Sequence, residues 1–527
     1  MRSSRWSTSE FAIPLSLGIA ALVLGALASS SKTASLVTLA ALAGLSALAV
    51  LWRGERFNTC FIFVLALAIP FNAEVTVYRF VAMDPKGHAG GAPAFQLHAA
   101  FIVMCLLLLF NIGKRKSRDM PLSVAWRPDL LVGGSIVTYI LICALSLIPA
   151  TRVDYTLYEL ARLLELFLAF GMVASMRRPE QLRPFLIGLA VGLVLQACVA
   201  GYQYFTGHTL GLGVFGEDSV QRQDIGYSAK RANGTIGNPN QFGYYLEILV
   251  PIMFAMMVTS GSRLLKAVFC IGLVCGIAAI LTTLSRAAWA TVPLSLGIVA
   301  FSAIGIRLFY LRNLMRIIPL VGLLLIGVIA ALPLIEKRFT HDDQGSMAAR
   351  APLNDAAISV IERHPVIGVG LNNFADVFQS EDETGKSRVF RTPFPGIYVK
   401  QVVHNMYLLV WAEVGTVGFV AFLLQFFVLF YVVFRWRNKG DRQLRALRIA
   451  IAAGILAQLM HAMVDPGFKT IYSVSLLIYC LMGVVIATTR MKFRPVETQP
   501  KWPVANSWAE TVVMESPRAL RYSDGSA

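Results

Sequence analysis

Residues 264–283 read LLKAVFCIGLVCGIAAILTT and contain a single charged residue, Lys266. A helix of about 20 apolar residues spans roughly 30 Å, which is the thickness of the hydrocarbon core of a bilayer. Comparable apolar runs recur along most of the chain, whereas the alternating pattern of a β-barrel strand is absent from the sequence. The runs therefore predict transmembrane helices.

The composition agrees with this prediction. Of the 527 residues, 56% are hydrophobic and only 15% are charged, and the mean hydropathy is +0.63. Soluble domains are close to half apolar and a quarter charged. A soluble enzyme, a disordered protein and a fibrous repeat are excluded, and we expect an all-α, polytopic integral membrane protein.

Fourteen segments are candidate spans, of which the third is short and the sixth carries Glu159, Arg162 and Glu165. Either of these two could be re-entrant or interfacial, so we expect 12–14 transmembrane helices. Both counts are even, which places the two termini on one side. The segments are 11–29, 33–52, 59–71, 94–112, 130–149, 158–175, 184–205, 243–259, 264–283, 287–306, 317–335, 404–434, 447–464 and 471–489.

The connections between these spans alternate in charge. The net charge is +17, and basic residues gather in alternate connections, such as 114–118, 307–316 and 435–448. By the positive-inside rule these connections and both termini are cytoplasmic. The N-terminal apolar segment is read as a retained span, and the seven cysteines lie in or beside apolar segments, which argues against a disulfide framework.

Two long segments fall on the opposite, outer side and divide the chain. The expected regions are N-terminal helices at 1–205, a first outer loop at 206–242, central helices at 243–335, a second outer loop at 336–403, C-terminal helices at 404–489, and a cytoplasmic tail at 490–527. Long loops of this kind tend to carry function.

The first outer loop combines basic residues with turn-forming residues. Arg222, Lys230 and Arg231 precede the run NGTIGNPNQFG at 233–243, which contains Asn238 and Asn240. Turns rich in glycine and asparagine expose backbone N–H groups, which suit an oxyanion such as phosphate. A turn that only caps the following helix would have the same composition, so both interpretations stay open.

Arg286 lies between two apolar runs, in LTTLSRAAW at 281–289. An arginine at a membrane boundary can extend to lipid headgroups. It is also suited to bidentate contact with a phosphate, and a charge at this depth is a functional candidate.

A third group of polar residues, His404, Asn405 and Tyr407, opens a later span. The imidazole of His404 is a candidate general base, because its usual pKa lies near neutral pH. It could instead cap the helix or face the lipid headgroups. His461 and Asp465 lie four residues apart near the outer end of the next span. They could form a proton relay or a structural pair, and we favour the structural pair.

Other chemistry has little support. The Gly-x-Gly in HPVIGVGLNNF at 364–374 lacks the strand and helix of a dinucleotide site, and no Walker loop is present. The acidic runs at 342–343 and 381–383 could hold a hard cation, but we expect charged loop surfaces there. The sequence predicts no metal, no cofactor and no nucleic-acid partner.

Four motifs in this order resemble those of the O-antigen ligase and polymerase superfamily. They are GTIGNPNQF at 234–242, LTTLSR at 281–286, HPVIGVGLNNF at 364–374, and HNMY at 404–407 followed by EVGTVG at 413–418. The resemblance covers about residues 225–425. It implies a lipid-dependent glycosyltransferase of the all-helical, GT-C-like kind in the inner membrane of a Gram-negative bacterium, with a periplasmic active site.

The resemblance also implies the substrates and the roles of particular residues. The donor is a glycan on undecaprenyl pyrophosphate, which enters from the membrane lipid, and the acceptor of the ligases is a sugar of lipid A–core. His404 corresponds to the proposed base and Arg286 to a pyrophosphate-binding arginine, while Arg231 or Arg222 corresponds to a second one. Displacement at the anomeric carbon by this route inverts its configuration and needs neither ATP nor metal.

We expect an O-antigen ligase, with Arg388 and Arg391 of the second outer loop available to contact an anionic acceptor. The shared motifs also fit an O-antigen polymerase or a protein O-oligosaccharyltransferase. A lipid-linked oligosaccharide flippase is the rival from a different class, although transporters place ionisable groups nearer the midplane. The oligomeric state stays open.

Overall fold

A computed structural model describes the chain at residues 55–71, 74–79, 94–98, 127–224, 228–305, 350–377, 402–436 and 441–491, with a few single positions near 100 and 335. The predicted spans at 11–29, 33–52 and 317–335 lie outside these residues, as do the tail and the second half of the second outer loop.

The described residues form twelve α-helices and two small hairpins. The helices are α1 Glu55–Ala68, α2 Pro128–Leu145, α3 Val153–Ala174, α4 Pro179–Thr206, α5 Pro239–Thr259, α6 Arg263–Thr283, α7 Arg286–Gly305, α8 Arg350–Arg363, α9 Met406–Arg435, α10 Arg442–His461, α11 Gly467–Thr470 and α12 Tyr472–Arg490. The hairpins pair β1 Glu74–Arg79 with β2 Ala94–His98 and β3 Gln221–Asp224 with β4 Ser228–Arg231.

Seven of the described helices are long and apolar enough to cross a membrane: α2, α4, α5, α6, α9, α10 and α12. Helix α3 has 22 residues, which is also long enough, but its charged residues set it apart. Helix α1 and the N-terminal part of α7 are shorter apolar helices. The expectation of an all-α polytopic membrane protein is confirmed.

Helices α5 and α12 lie at the centre of the bundle. Helix α5 packs against α6, α7 and α10, and α12 packs against α3 and α10. Nearly every residue of α12 is buried, whereas α2 leaves Leu130, Leu141 and Leu145 exposed. An apolar face of that kind is suited to lipid, because hydrocarbon tails are as apolar as leucine.

Helix α9 is broken in its N-terminal third. Gly415 has φ 66° and ψ −174°, a conformation that only glycine adopts without strain. The segment after α8 fills the break: the N–H groups of Val369 and Gly370 donate to the carbonyls of Ala412 and Glu413 at 3.1 and 2.9 Å. A break at membrane depth is tolerated only where such partners satisfy the backbone.

The backbone N–H groups that follow the break find hydrogen-bond partners in the same segment. The N–H of Thr416 donates to the carbonyl of Pro365 at 2.8 Å. Asn373 then ties the segment to the start of α3, because its Oδ1 accepts from the Arg152 N–H at 2.7 Å. The motifs HPVIGVGLNNF and EVGTVG are thus two halves of one structural contact.

Several predicted boundaries differ from the structure; α4 and α10, for example, each begin five residues before the predicted start. The segment 94–112 begins with strand β2, and its antiparallel partner β1 explains why it starts as a strand. Helix α5 begins at Pro239, four residues before the predicted 243, because Asn238 caps it. The segment 158–175, which could have been re-entrant, lies in the continuous helix α3.

Candidate functional site

The ends of several helices meet at one end of the bundle. The start of α9 contacts the end of α10 through the Met406 N–H, which donates to the Ala462 carbonyl at 2.9 Å. The start of α5 contacts the segment after α10 through Asn240 and Asp465, at 3.4 Å between Nδ2 and Oδ2. These contacts place His404, Asn240 and the first outer loop in one neighbourhood.

Arg231 is the buried cation of this neighbourhood. Its Nε donates to the carbonyl of Thr283, at the end of α6, at 2.9 Å. Its Nη2 donates to Asn240 Oδ1 at 2.7 Å. Both acceptors are neutral oxygen atoms, and these two bonds orient the guanidinium.

Arg222 lies on the other face of the hairpin. The register pairs Arg222 with Lys230 and Gln221 with Arg231, and directly opposed residues in a two-stranded sheet share a face. Arg222 is exposed, and Lys230 turns away to donate to the Phe205 carbonyl at 2.8 Å. The structure therefore brings Arg231, and not Arg222, to Asn240.

The two asparagines of the first loop have different tasks. Asn238 is the N-cap of α5, where its Oδ1 accepts from the Asn240 N–H at 2.9 Å. Such a cap satisfies one of the free N–H groups at a helix start. The side chain of Asn240 instead joins Arg231 to Asp465.

Two glutamines of α4 hold the NGTIG turn in place. Gln203 accepts from the N–H groups of Asn233 and Gly234 at 3.0 and 2.9 Å. Gln196 accepts from the Thr235 N–H at 2.9 Å and donates to its hydroxyl at 2.6 Å. The N–H groups of Asn233, Gly234 and Thr235 are therefore used by the protein itself, and Arg231 is the buried basic residue of this loop.

Arg286 is the first residue of α7 and is partly buried. It follows a sharp turn in which Leu284 has φ 51°. Thr283, whose carbonyl accepts from Arg231, lies three residues earlier. Arg231 of the first loop thus contacts the turn between α6 and α7, and Arg286 follows that turn.

His404 precedes α9 by two residues and does not cap it. The N-cap is Asn405, whose Oδ1 accepts from the N–H groups of Tyr407 and Leu408 at 3.0 and 3.2 Å. Within the described part of the chain, Nδ1 of His404 is buried and has no hydrogen-bond partner. The capping alternative for His404 is therefore wrong, and one ring nitrogen remains available.

The surroundings of His404 keep it neutral. Burial lowers the pKa of the His404 imidazole below its usual value of 6.5, the negative charge of Asp465 opposes this shift, and the positive charge of Arg350 adds to it. A neutral imidazole can accept a proton at neutral pH. Tyr407, on the same helix, donates its hydroxyl to the Leu459 carbonyl at 2.5 Å and so has a structural contact.

Two of these neighbours are not predicted from the sequence. The spacing of four residues predicts a pair of Asp465 with His461, but His461 contacts Glu247 at 2.7 Å and stacks on Tyr244. Arg350 lay unnoticed in the second outer loop. Glu247 could have been found as an acidic residue inside an apolar helix, whereas only the fold places Arg350 near His404.

Several predicted site residues fall outside the described residues. Arg388 and Arg391 are among them, together with the acidic runs at 342–343 and 381–383. Among the residues that the structure describes, no group of three metal-ligating side chains comes together.

Comparison with known families adds an independent observation. Residues 271–423 match the family model described as O-antigen ligase. The matched region includes Arg286, Arg350 and His404, and it leaves out Arg231 and Asp465. No curated protein matches the chain.

The match covers under a third of the chain and is shared by ligases and polymerases. It agrees with the bundle of apolar helices and with the order of the motifs. The chain is thus a polytopic membrane protein whose residues 271–423 are similar to the O-antigen ligase family.

Proposed function

We propose that this protein is an O-antigen ligase. It transfers a glycan from undecaprenyl pyrophosphate to a sugar hydroxyl of lipid A–core, at the outer face of the inner membrane. The observation that carries the proposal is the buried Nδ1 of a neutral His404, which has no hydrogen-bond partner among the described residues. His404 lies within the ligase family match, in the neighbourhood that also holds Arg231 and Asn240.

The proposed step is a direct displacement. The acceptor oxygen attacks the anomeric carbon of the glycan while its proton passes to His404. The bond between that carbon and the pyrophosphate oxygen breaks, so the configuration at the anomeric carbon is inverted. Undecaprenyl pyrophosphate leaves with the bonding electron pair.

Arginines are suited to stabilise this leaving group. Negative charge develops on the pyrophosphate as the bond breaks, and fixed cations placed before the reaction lower the barrier most effectively. Arg231 contacts the turn that Arg286 follows, so the two arginines are proposed to bind the two phosphates. In this proposal neither ATP nor a metal ion takes part, because the donor is already activated.

A reconstituted transfer assay tests the proposal. Purified protein receives undecaprenyl-pyrophosphate glycan and lipid A–core, with excess chelator and without ATP. A glycan-bearing lipid A–core of inverted anomeric configuration is expected. Lipid-linked glycan that lengthens while lipid A–core stays unmodified would identify a polymerase and contradict the ligase proposal.

A further inference from the structure

A short segment after α10 connects the candidate site to a buried ion pair. Residues 462–471, here called the strap, join α10 to α12 and contain α11. At the site end, Ala462 accepts from the Met406 N–H and the Asp465 carbonyl accepts from the Tyr244 hydroxyl at 2.5 Å. The strap is therefore tied to both helices that carry the site, α9 and α5.

The other end of the strap is fixed by an ion pair and by a hydrogen bond from an arginine. Lys469 forms an ion pair with Glu413 of α9, and the Lys469 carbonyl accepts from Arg162 of α3. Arg162 itself pairs with Glu159 at 2.8 Å. All four side chains are buried, with exposed fractions of 9% for Lys469 and 1% for Glu413.

The ion pair lies at the break in α9. Glu413 precedes Gly415 by two residues, and its carbonyl accepts from the Gly370 N–H at 2.9 Å. Three segments thus converge on this residue: the broken helix, the motif that fills the break, and the strap. A movement of the strap here would change the position of Asp465, four residues before Lys469.

Stability alone does not account for such a pair. Removing two charges from water is costly, and replacing a buried ion pair by apolar residues of similar volume is often neutral or stabilising. Ionisable residues at membrane depth tend to be functional. Here the ion pair fixes the part of the strap that follows Asp465.

We propose that Glu413 and Lys469 are positioning residues, which hold the strap so that Asp465 faces His404. This inference rests on the proposed role of His404 as the base. It adds that the rate of transfer depends on a buried ion pair that touches neither donor nor acceptor.

The charged groups around His404 determine how its pKa should respond if the strap moves. Asp465 faces it from the strap and Arg350 from α8, while Tyr407 lies on its own helix. His461 of α10 and Glu247 of α5 pair with each other. If the strap moves, the attraction of Asp465 weakens, the pKa of His404 falls further, and the base becomes weaker.

The test is a neutral double variant, Glu413→Gln/Lys469→Met, measured in the reconstituted assay. We expect kcat to fall about 10- to 100-fold, as for a misplaced catalytic group. The donor KM should change little, and the acid limb of the pH–rate profile should move to lower pH. The matched control, Arg490→Met/Asp129→Asn, removes an ion pair of 2.7 Å in α12 and α2 and should leave both quantities unchanged.

Two further variants keep the result interpretable. Glu413→Asp retains the charge but shortens the side chain, so it should fold and still lower kcat. It replaces the double variant in the assay if the double variant does not fold. A folded double variant, or a folded Glu413→Asp, with wild-type kcat and an unmoved acid limb would overturn the positioning role. His404→Ala separates the failures: if it transfers at the wild-type rate, the base assignment fails, and the positioning role fails with it.

Discussion

At the scale of the residue, His404 combines burial, neutrality and an available ring nitrogen. Asn405 supplies the helix cap, so the histidine is not needed for that task. The two neighbours that set its charge have opposite signs, which makes its protonation sensitive to either one. The following three predictions use this arrangement and the position of Arg231.

The pH dependence of transfer should report on His404. Its pKa lies below the usual 6.5 because of burial, and a base acts only when it is deprotonated. We therefore expect kcat/KM to be constant at neutral pH and to fall at acid pH, with a midpoint below 6.5. A pH–rate profile with its acid midpoint at or above 7 would contradict this environment.

Replacing Arg350 by alanine should move that midpoint upward. The positive charge of Arg350 lowers the pKa of His404, so its loss raises the pKa, and protonation then inactivates the base at a higher pH. The same profile, recorded for Arg350→Ala, measures the shift. Arg363→Ala, at the other end of α8, is the control and should not shift the midpoint.

Arg231 and Arg222 should differ sharply when each is replaced by alanine. Arg231 is buried beside Asn240 and Thr283, whereas Arg222 is exposed on the other face of the hairpin. Loss of one preorganised cation at a leaving group costs about 10²- to 10³-fold in rate, so we expect a loss of this size for Arg231→Ala. Equal losses in the two variants would refute the choice of Arg231.

At the scale of the element, the broken helix α9 explains two of the sequence motifs. HPVIGVGLNNF supplies the backbone partners of the break, and EVGTVG supplies the glycine at which it occurs. The glycines of these motifs are therefore required by close backbone packing and need not contact a substrate.

Gly415→Ala should destabilise the protein. A methyl group at this position would meet the backbone of Val366, and the positive φ alone costs about 1–3 kcal/mol for another residue. Thermal denaturation in detergent should show a clearly lower Tm. The control is Gly297→Ala in α7, where no atom lies within 4 Å of the added methyl group. If Gly415→Ala has the same Tm as this control, the packing at the break is contradicted.

The sequence predicted elements better than contacts. Apolar runs of about 20 residues located α4, α5, α6 and α12, because the bilayer fixes their length. The cap at Asn238 was also visible, since asparagine before proline is a common helix start. The choice of Arg231 over Arg222 was not, because it depends on which face of a hairpin packs against α5 and α6.

At the scale of the whole molecule, the site is built where helix ends meet and not at the midplane. Asn240, His404 and Asp465 lie at or within a few residues of helix ends, and Arg231 ends strand β4 beside them. The partners that complete this cluster are spread over more than 200 residues of sequence, so no local pattern could assemble it. A transporter would instead expose its central site to each side in turn.

Cysteine labelling tests on which side of the membrane each loop lies. Ser219 in the first outer loop and Ser262 before α6 are both exposed. Each is replaced by cysteine, one at a time, in a variant that lacks the native cysteines. A membrane-impermeant thiol reagent should label the first position in intact cells with a permeable outer membrane, and the second only after lysis. The reverse result would invert the proposed topology.

The most direct measurement of the central claim is the rate of glycan transfer by His404→Ala beside the wild type, with chelator present and ATP absent. A folded His404→Ala protein is expected to transfer the glycan about 10²- to 10⁴-fold more slowly, because a general base usually contributes a rate factor of this size. An unchanged rate in the folded variant would contradict the central claim, because the acceptor proton would then have another destination.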